Sequence, residues 1–233
     1  MCRSDSRMLQ AMYQAIPVVL LLLATGRWMT SAGAAVECPP INLAELQSKR
    51  DYRSALAGVE RGPDSDWQKL RTAEVNHFNE NVRTLTKGQS VSHPGGDLMF
   101  ILGIFPNHAP ALELLVRLAV RENALKPRGV GTPVPCTLQR AVAFRPEDPQ
   151  PRMLYGIYLA RIGENDEAIK QLETAEKAAP DDANVLYNLG LLYLGKKNYD
   201  KAMGYAQRAY ERGFPLPGLK NKLRSAGKWK DGD

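Results

Sequence analysis

Shifted by 34 residues, the C-terminal half of the chain falls on itself, and this period constrains the fold more tightly than any other feature. Gly156 aligns with Gly190, Ala168 with Ala202 and Leu138 with Leu172, while Ala141, Ala175 and Ala209 form a three-step ladder. Pro146 and Pro180 recur likewise, and the next step falls on Phe214, one residue before Pro215. Asn165-Asp166-Glu167-Ala168 has its counterpart in Tyr199-Asp200-Lys201-Ala202. A period of this length with small residues at fixed places marks stacked helix–turn–helix units. Close packing is the physical reason: a mid-helix glycine costs up to about 1 kcal/mol against alanine, which is tolerable where a neighbouring backbone must come near. Ala168 and Ala202 serve the same approach from the second helix. Pro146 and Pro180 end helices, and Asn165 or Asp166 is placed to cap the second helix of the first hairpin.

The run Leu186-Tyr187-Asn188-Leu189-Gly190, followed by Tyr193, Ala202 and Ala209, resembles a tetratricopeptide repeat. Residues 149–182 match the same pattern less closely, with Leu159 where an aromatic is usual and Tyr158 beside it. The resemblance implies an all-α fold of TPR-like helix–turn–helix hairpins, wound into a right-handed superhelix with a C-terminal capping helix. Two repeats occupy residues 149–182 and 183–216, an amphipathic helix over 216–225 reads as the cap, and residues 217–233 are assigned to capping helix and tail. Upstream, residues 65–148 read as degenerate hairpins. Residues 65–85 form a long helix, the polar, Gly-rich stretch 86–96 a loop, and 97–105 a second helix with its exit at Pro106-Asn107-His108. Residues 109–145 continue as helix, Pro- and Gly-rich insert, and helix, leaving through Pro146-Glu147-Asp148. Residues 36–64 lack clear periodicity and read as an irregular strap. The segments Gly95-Gly96-Asp97-Leu98, Phe105-Pro106-Asn107-His108 and Phe144-Arg145-Pro146-Glu147-Asp148, with residues 213–219, are also similar to a group of exported bacterial tetratricopeptide proteins. That likeness implies an envelope protein and supplies no ligand.

Residues 1–35 read as a signal peptide. Arg3 and Arg7 precede a nine-residue apolar run, Ile16 to Ala24, and Ala32-Gly33-Ala34 provides the small residues a signal peptidase requires. The run is too short to cross a bilayer core, which takes about 20 helical residues, although an uncleaved anchor is the alternative because Arg27 and Trp28 are untidy for a cleavage region. The expectation is export, to a periplasmic or secreted location, with no stable membrane span once the leader is removed. Cys38 and Cys136 then remain, and two thiols in an oxidising compartment suggest one disulfide; two unrelated thiols are the alternative. Neither belongs to a C-x-x-C pair, so thiolate zinc ligation and dithiol redox chemistry lack support.

The net charge of +6 is spread along the chain, and nucleic-acid binding needs a concentrated basic stripe. The nearest approach to one, Lys220, Lys222, Arg224, Lys228 and Lys230, reads better as a solvated terminal helix, so no nucleic-acid partner is expected. His77, His93 and His108 form no i, i+4 pair and no zinc-hydrolase motif. Capping or surface packing is their expected role, with His108 starting a helix. Gly95-Gly96-Asp97 lacks the Lys and Ser/Thr of a phosphate-binding loop, and Asp97 is expected to cap the helix that follows. No G-x-S-x-G serine is present. The expectation is a chain with no catalytic residues, no metal and no cofactor.

A superhelix of hairpins presents the first helix of each repeat along a concave face. The positions expected there are Gln150, Met153, Leu154, Ile157 and Arg161 in the first repeat, then Asn184, Tyr187, Asn188, Leu191 and Leu194. The family resemblance implies that Asn188 hydrogen-bonds the backbone of an extended peptide, its amide being both donor and acceptor. Asn is also common there in repeats without a known ligand, and Tyr187 and Met153 read equally well as inter-repeat core. The favoured function is an exported protein–protein scaffold that binds a peptide or helix in this groove. The alternatives are an assembly helper of an envelope complex that uses its N-terminal half, and an envelope enzyme with a site near residues 86–97.

Overall fold

A computed structural model describes residues 36–58 and 62–229, and every regular element among them is an α-helix. The expected leader, residues 1–35, and Lys230 of the basic tail lie outside the described residues. No described helix is long and apolar enough to cross a membrane. The chain divides within its eighth helix into two compact units, whose described parts are residues 36–158 and 159–229.

The N-terminal unit begins with a strap that is more regular than its sequence suggests. It holds two short helices, α1 (Leu43–Gln47) and α2 (Tyr52–Ala57), each started by an acidic or amide side chain. Asn42 accepts from the Glu45 N–H at 3.1 Å, and Asp51 accepts from the Arg53 and Ser54 N–H groups at 2.9 and 3.3 Å. Such caps supply the local order that hydrophobic periodicity cannot supply over five or six residues. Cys38 is joined to Cys136 by a disulfide, with a Cα–Cα distance of 5.4 Å. Cys136 lies on α7 (Val134–Phe144), against which α1 also packs.

Residues 65–85, expected as one helix, form two: α3 (Asp66–His77) and α4 (Glu80–Arg83). Asn79 breaks the run. Its backbone is extended, its side chain accepts from the Val82 N–H at 3.1 Å, and its own N–H turns to the Gln89 side chain at 2.9 Å. Next comes α5 (Pro94–Ile104), which starts earlier than expected because His93 caps it, its Nδ1 accepting from the Gly95 N–H at 3.2 Å. Asp97 therefore caps nothing; it sits inside the first turn, fully buried. His108 does start α6 (Ala109–Glu122), accepting from the Ala111 N–H at 3.1 Å. Gly95 is required by the insert at 126–135, since a Cβ there would collide with the Arg128 carbonyl.

Helix α8 (Pro149–Arg161) leads to α9 (Asn165–Ala178), α10 (Ala183–Gly195), α11 (Tyr199–Glu211) and α12 (Gly218–Ser225). Helices α10 and α11 begin 34 residues after α8 and α9. Neither Asn165 nor Asp166 is the N-cap of α9: Glu164 holds that place without a side-chain cap bond, and Asp166 pairs instead with Lys196. In the C-terminal unit Ala202, Ala206 and Ala209 are fully buried, and α10 lies close on α11. At Gly190 an added Cβ would stand 3.4 Å from the Ala202 carbonyl oxygen and 3.5 Å from the Tyr205 Cβ. These are ordinary contacts, and the tight neighbour is the Leu219 side chain of α12, 2.5 Å from such a Cβ, not the backbone that the spacing leads one to expect. Leu219 and Leu223 of α12 are buried, closing the end of the unit.

Candidate partner-binding surface and the polar interior

Helix α10 carries its expected surface positions in two different states. Asp182 caps the helix, accepting from the Asn184 and Val185 N–H groups at 2.9 and 3.3 Å, and leaves Asn184 half-buried. Asn188 is fully buried, and its Nδ2 donates to the Asn184 carbonyl at 2.8 Å. The amide is thereby aligned along its own helix, one donor taken by the turn behind it. Leu191 is buried. Tyr187 belongs to the interior. Its ring stacks on Phe214 at 3.9 Å and meets Tyr210 edge-on at 6.4 Å. Its hydroxyl accepts from the Leu219 N–H at 3.0 Å, which ties α12 down, and burial raises its pKa.

On α8, Met153, Leu154 and Ile157 are buried, while Gln150 and Arg161 are half-buried. Gln150 donates its N–H to Asp148 at 3.1 Å. Loss of solvent pulls the Arg161 guanidinium below its usual range. The polar members Gln150, Arg161 and Asn184 therefore remain partly open to solvent. A second polar line runs across α9, α10 and α11: the Tyr193 hydroxyl donates to Glu173 at 2.5 Å, the Tyr205 hydroxyl to Glu176 at 3.0 Å, and Arg208 pairs with Glu176 at 2.6 Å.

Sequence patterns do not reveal the polar interior of the N-terminal unit. Asn107 is fully buried and makes three bonds: its Oδ1 accepts from the Tyr52 N–H at 3.0 Å, and its Nδ2 donates to Asp51 at 3.2 Å and Asp148 at 3.1 Å. Arg145 closes on Asp51 at 2.5 Å, and Arg53 lies 3.7 Å from Asp148. Burial pushes the Asp51 pKa up, but the Arg145 and Asn107 donors outweigh it and the net direction is down. For Asp148 burial prevails over its donors, and the carboxyl is held above the usual range. The Pro-Asn-His and Arg-Pro-Glu-Asp segments, legible as helix exits, are thus joined through Asp51, 56 and 94 residues distant in sequence from Asn107 and Arg145.

His108 is buried beside this knot. With Nδ1 accepting from Ala111, the proton resides on Nε2 and is donated to Glu74 at 3.2 Å. Burial among Tyr52 and Phe78 lowers its pKa more than Glu74 raises it. His93 Nε2 lies 3.1 Å from Glu122. The 86–96 loop is clamped by Asp97, whose carboxylate accepts from the Gln89 N–H at 2.7 Å and the Ser90 N–H at 3.1 Å and meets His77 Nδ1 at 2.7 Å. Its polar groups hold the loop shut. Among the described residues no three His, Cys, Asp or Glu side chains gather where they could hold a metal ion.

Residues 154–215 match a family model described as tetratricopeptide repeat. Tetratricopeptide repeat protein 7A of Homo sapiens is 33% identical over 90 residues, which are 37% of this chain and 10% of that protein. This chain therefore spans about a tenth of the length of that curated relative. Among solved structures, the crystal structure of MamA is similar at 20% identity, with a TM-score of 0.40, covering 70% of this chain and 88% of the other.

Proposed function

Because the chain is a tetratricopeptide-repeat protein, with the family's pattern over residues 154–215, we propose that it is an exported scaffold of the cell envelope that docks a peptide or helix on the first helices of its repeats. Repeats of this family imply protein–protein interaction in general; export and the docking face are the parts proposed. The observation that carries the reading is the state of α10. Asn184 is partly open to solvent, and beneath it Asn188 is held by the Asn184 carbonyl and Leu191 is buried. Asn184 is the polar group a docked peptide reaches first, since an amide side chain offers a peptide backbone both a donor and an acceptor. By the repeat, Gln150, Leu154 and Ile157 hold the corresponding positions 34 residues earlier in the sequence, Met153 that of Tyr187, and Arg161 lies one turn beyond them. Export is supported by the charged start, short apolar run and Ala-Gly-Ala motif of residues 1–35, and agrees with a disulfide between Cys38 and Cys136.

Capture from envelope extract tests the docking face, with the full chain as bait against Asn184→Ala/Asn188→Ala. Tyr187 is left intact in the control because it anchors α12. A protein held by the first bait and lost from the second, with both equally folded by circular dichroism, supports the reading. Equal retention on both removes it. Fusing residues 1–35 to a reporter that is active only outside the cytoplasm tests export separately.

A second reading has the N-terminal unit make the contact and the chain assist assembly of an envelope complex. It is favoured by the way the strap is pinned, covalently at Cys38 and by the Asp51 knot, which gives that unit a fixed surface to present.

A further inference from the structure

A cleft of about 340 Å³ opens on the N-terminal unit between α3 and α5, with Ala73, Phe100, Ile104, Arg50 and Lys69 among its lining residues. We propose that this cleft docks an acidic peptide segment through one aromatic side chain. The inference goes beyond the repeat helices, since it concerns a different unit and an occupant of defined chemistry.

Phe100 carries the apolar part of the argument. It is 48% exposed, although an aromatic ring gains most from full burial. It is nevertheless held still, stacked on the His77 ring at 3.8 Å with the planes 22° apart. His77 cannot swing away, because its Nδ1 lies 2.7 Å from Asp97, and Asp97 is itself fixed by the Gln89 and Ser90 N–H groups. The 86–96 loop thus serves to stiffen an aromatic platform, and a platform ordered before binding loses little entropy when a ring settles on it. A cleft that leaves Phe100 half open covers one side chain of a longer ligand. Small-molecule sites bury about 70–90% of their occupants, so the ring is carried by a peptide passing over the surface.

Charge selects the neighbours of that ring. The cleft is lined by two cations and no carboxylate. Arg50 pairs with Asp66, and Lys69 lies 3.2 Å from Asp64, whose side chain is 93% exposed. Exposed pairs of this kind contribute only about 0–1 kcal/mol, so a peptide carboxylate exchanges for Asp64 at little cost.

Fluorescence anisotropy of the full chain with a blocked, fluorescein-labelled Asp-Glu-Trp-Asp-Glu probe tests the proposal. Control probes carry Ala for Trp, or Lys for every acid. Saturable binding is expected, weakened about tenfold or more by Phe100→Ala and roughly three- to tenfold by Lys69→Glu. Phe100 is about half exposed and Lys69 is partly exposed, and neither belongs to the buried core. Lys69→Glu should in turn tighten the basic probe, an effect that misfolding cannot produce. Asn188→Ala, in the other unit, should bind the probe as the unaltered chain does. Absence of saturable binding up to about millimolar probe, the weak limit of useful affinity, overturns the proposal. So does binding that ignores both cleft substitutions, that is lost with Asn188→Ala, or that is equally strong with the Ala probe.

Discussion

The two units bury different things. Among the described residues the C-terminal unit buries one polar side chain, Asn188, whereas the N-terminal unit buries Ser65, Asp97, Asn107, His108, Thr137 and Asp148. The C-terminal unit is specified by a repeating pattern of small and large apolar residues, with Ala202, Ala206 and Ala209 against α10 and α12 closing the end. Where such a pattern is intact, shape alone selects one packing. In the N-terminal unit the pattern is degraded, and specificity comes from a disulfide and from buried polar knots whose members must all be satisfied at once. Decay of a repeat is thus compensated by single, long-range contacts, each of which carries more weight than any one residue of the regular unit.

If that contrast holds, the largest effect comes from Cys136→Ser or from reduction. The bond spans 98 residues, and loss of such a native disulfide costs roughly 2–5 kcal/mol. Hydrogen exchange followed unit by unit should show faster exchange in α1, α2 and α7 and little change in α10 and α11. Equal loss in both units would break the comparison. Asn107→Ala comes next, at about 2–4 kcal/mol, because it strands the buried Tyr52 N–H and removes the donor shared by Asp51 and Asp148. Chemical denaturation with the disulfide intact measures it. In the C-terminal unit Tyr187→Phe leaves the Leu219 N–H without its acceptor, costs about 1–3 kcal/mol, and should show as early exchange confined to α12.

Acid should also separate the units. The His108 pKa lies below its usual 6.5 because the ring is buried, so the folded state binds fewer protons at that site than the unfolded chain. Its contribution is fully present above about pH 6.5 and is lost as pH falls from there toward the depressed folded value, with a slope of at most about 1.4 kcal/mol per pH unit. Asp148, raised by burial, acts with the opposite sign in a lower window, gaining stability as pH falls toward 3.8, while Asp51, lowered, loses it only as pH falls below 3.8. Denaturation of the full chain at pH 7.5 and 5.5 should therefore show a loss that His108→Asn removes, since asparagine keeps the cap of α6 without titrating there. An unchanged pH dependence in that variant would place the titrating group elsewhere.

The C-terminal unit was legible because its information is local and periodic: Gly190, Ala202 and Ala209 announce a close helix pair by spacing alone. Residue types without the period misled. The stretch 65–85 reads as one helix, and only the bonds of Asn79 to Val82 and Gln89 end it at His77. Asp97 reads as a cap because acids begin helices, yet His93 takes that place and Asp97 turns inward to the loop. The Asn107 knot joins three segments between 41 and 94 residues apart, and no pattern within one segment encodes such a meeting. On the surface of α10 the residue types were visible, but not that Tyr187 is committed to Phe214 and Leu219. That commitment depends on where the chain returns after α11.

The smallest effect sharpens the comparison most. Gly190 looks indispensable by its conservation of spacing with Gly156 along the repeat, but its surroundings divide into a soft and a hard side. A Cβ there would come 2.5 Å from the Leu219 Cδ2, the free end of a flexible side chain that can turn aside, and would keep ordinary contact with the Ala202 carbonyl at 3.4 Å and the Tyr205 Cβ at 3.5 Å. Gly190→Ala also gains up to about 1 kcal/mol of helix propensity, which offsets the shift of Leu219, so the net change in urea denaturation should lie within about 0.5 kcal/mol of zero. Gly190→Val has no such escape. Its branches press on the α11 backbone as well as on Leu219, and overpacking of this kind costs about 1–3 kcal/mol. A near-neutral alanine with a costly valine means that the regular unit tolerates any change its flexible side chains can absorb. An alanine as costly as the valine would mean that backbone contact fixes the repeat as rigidly as the polar knots fix the N-terminal unit.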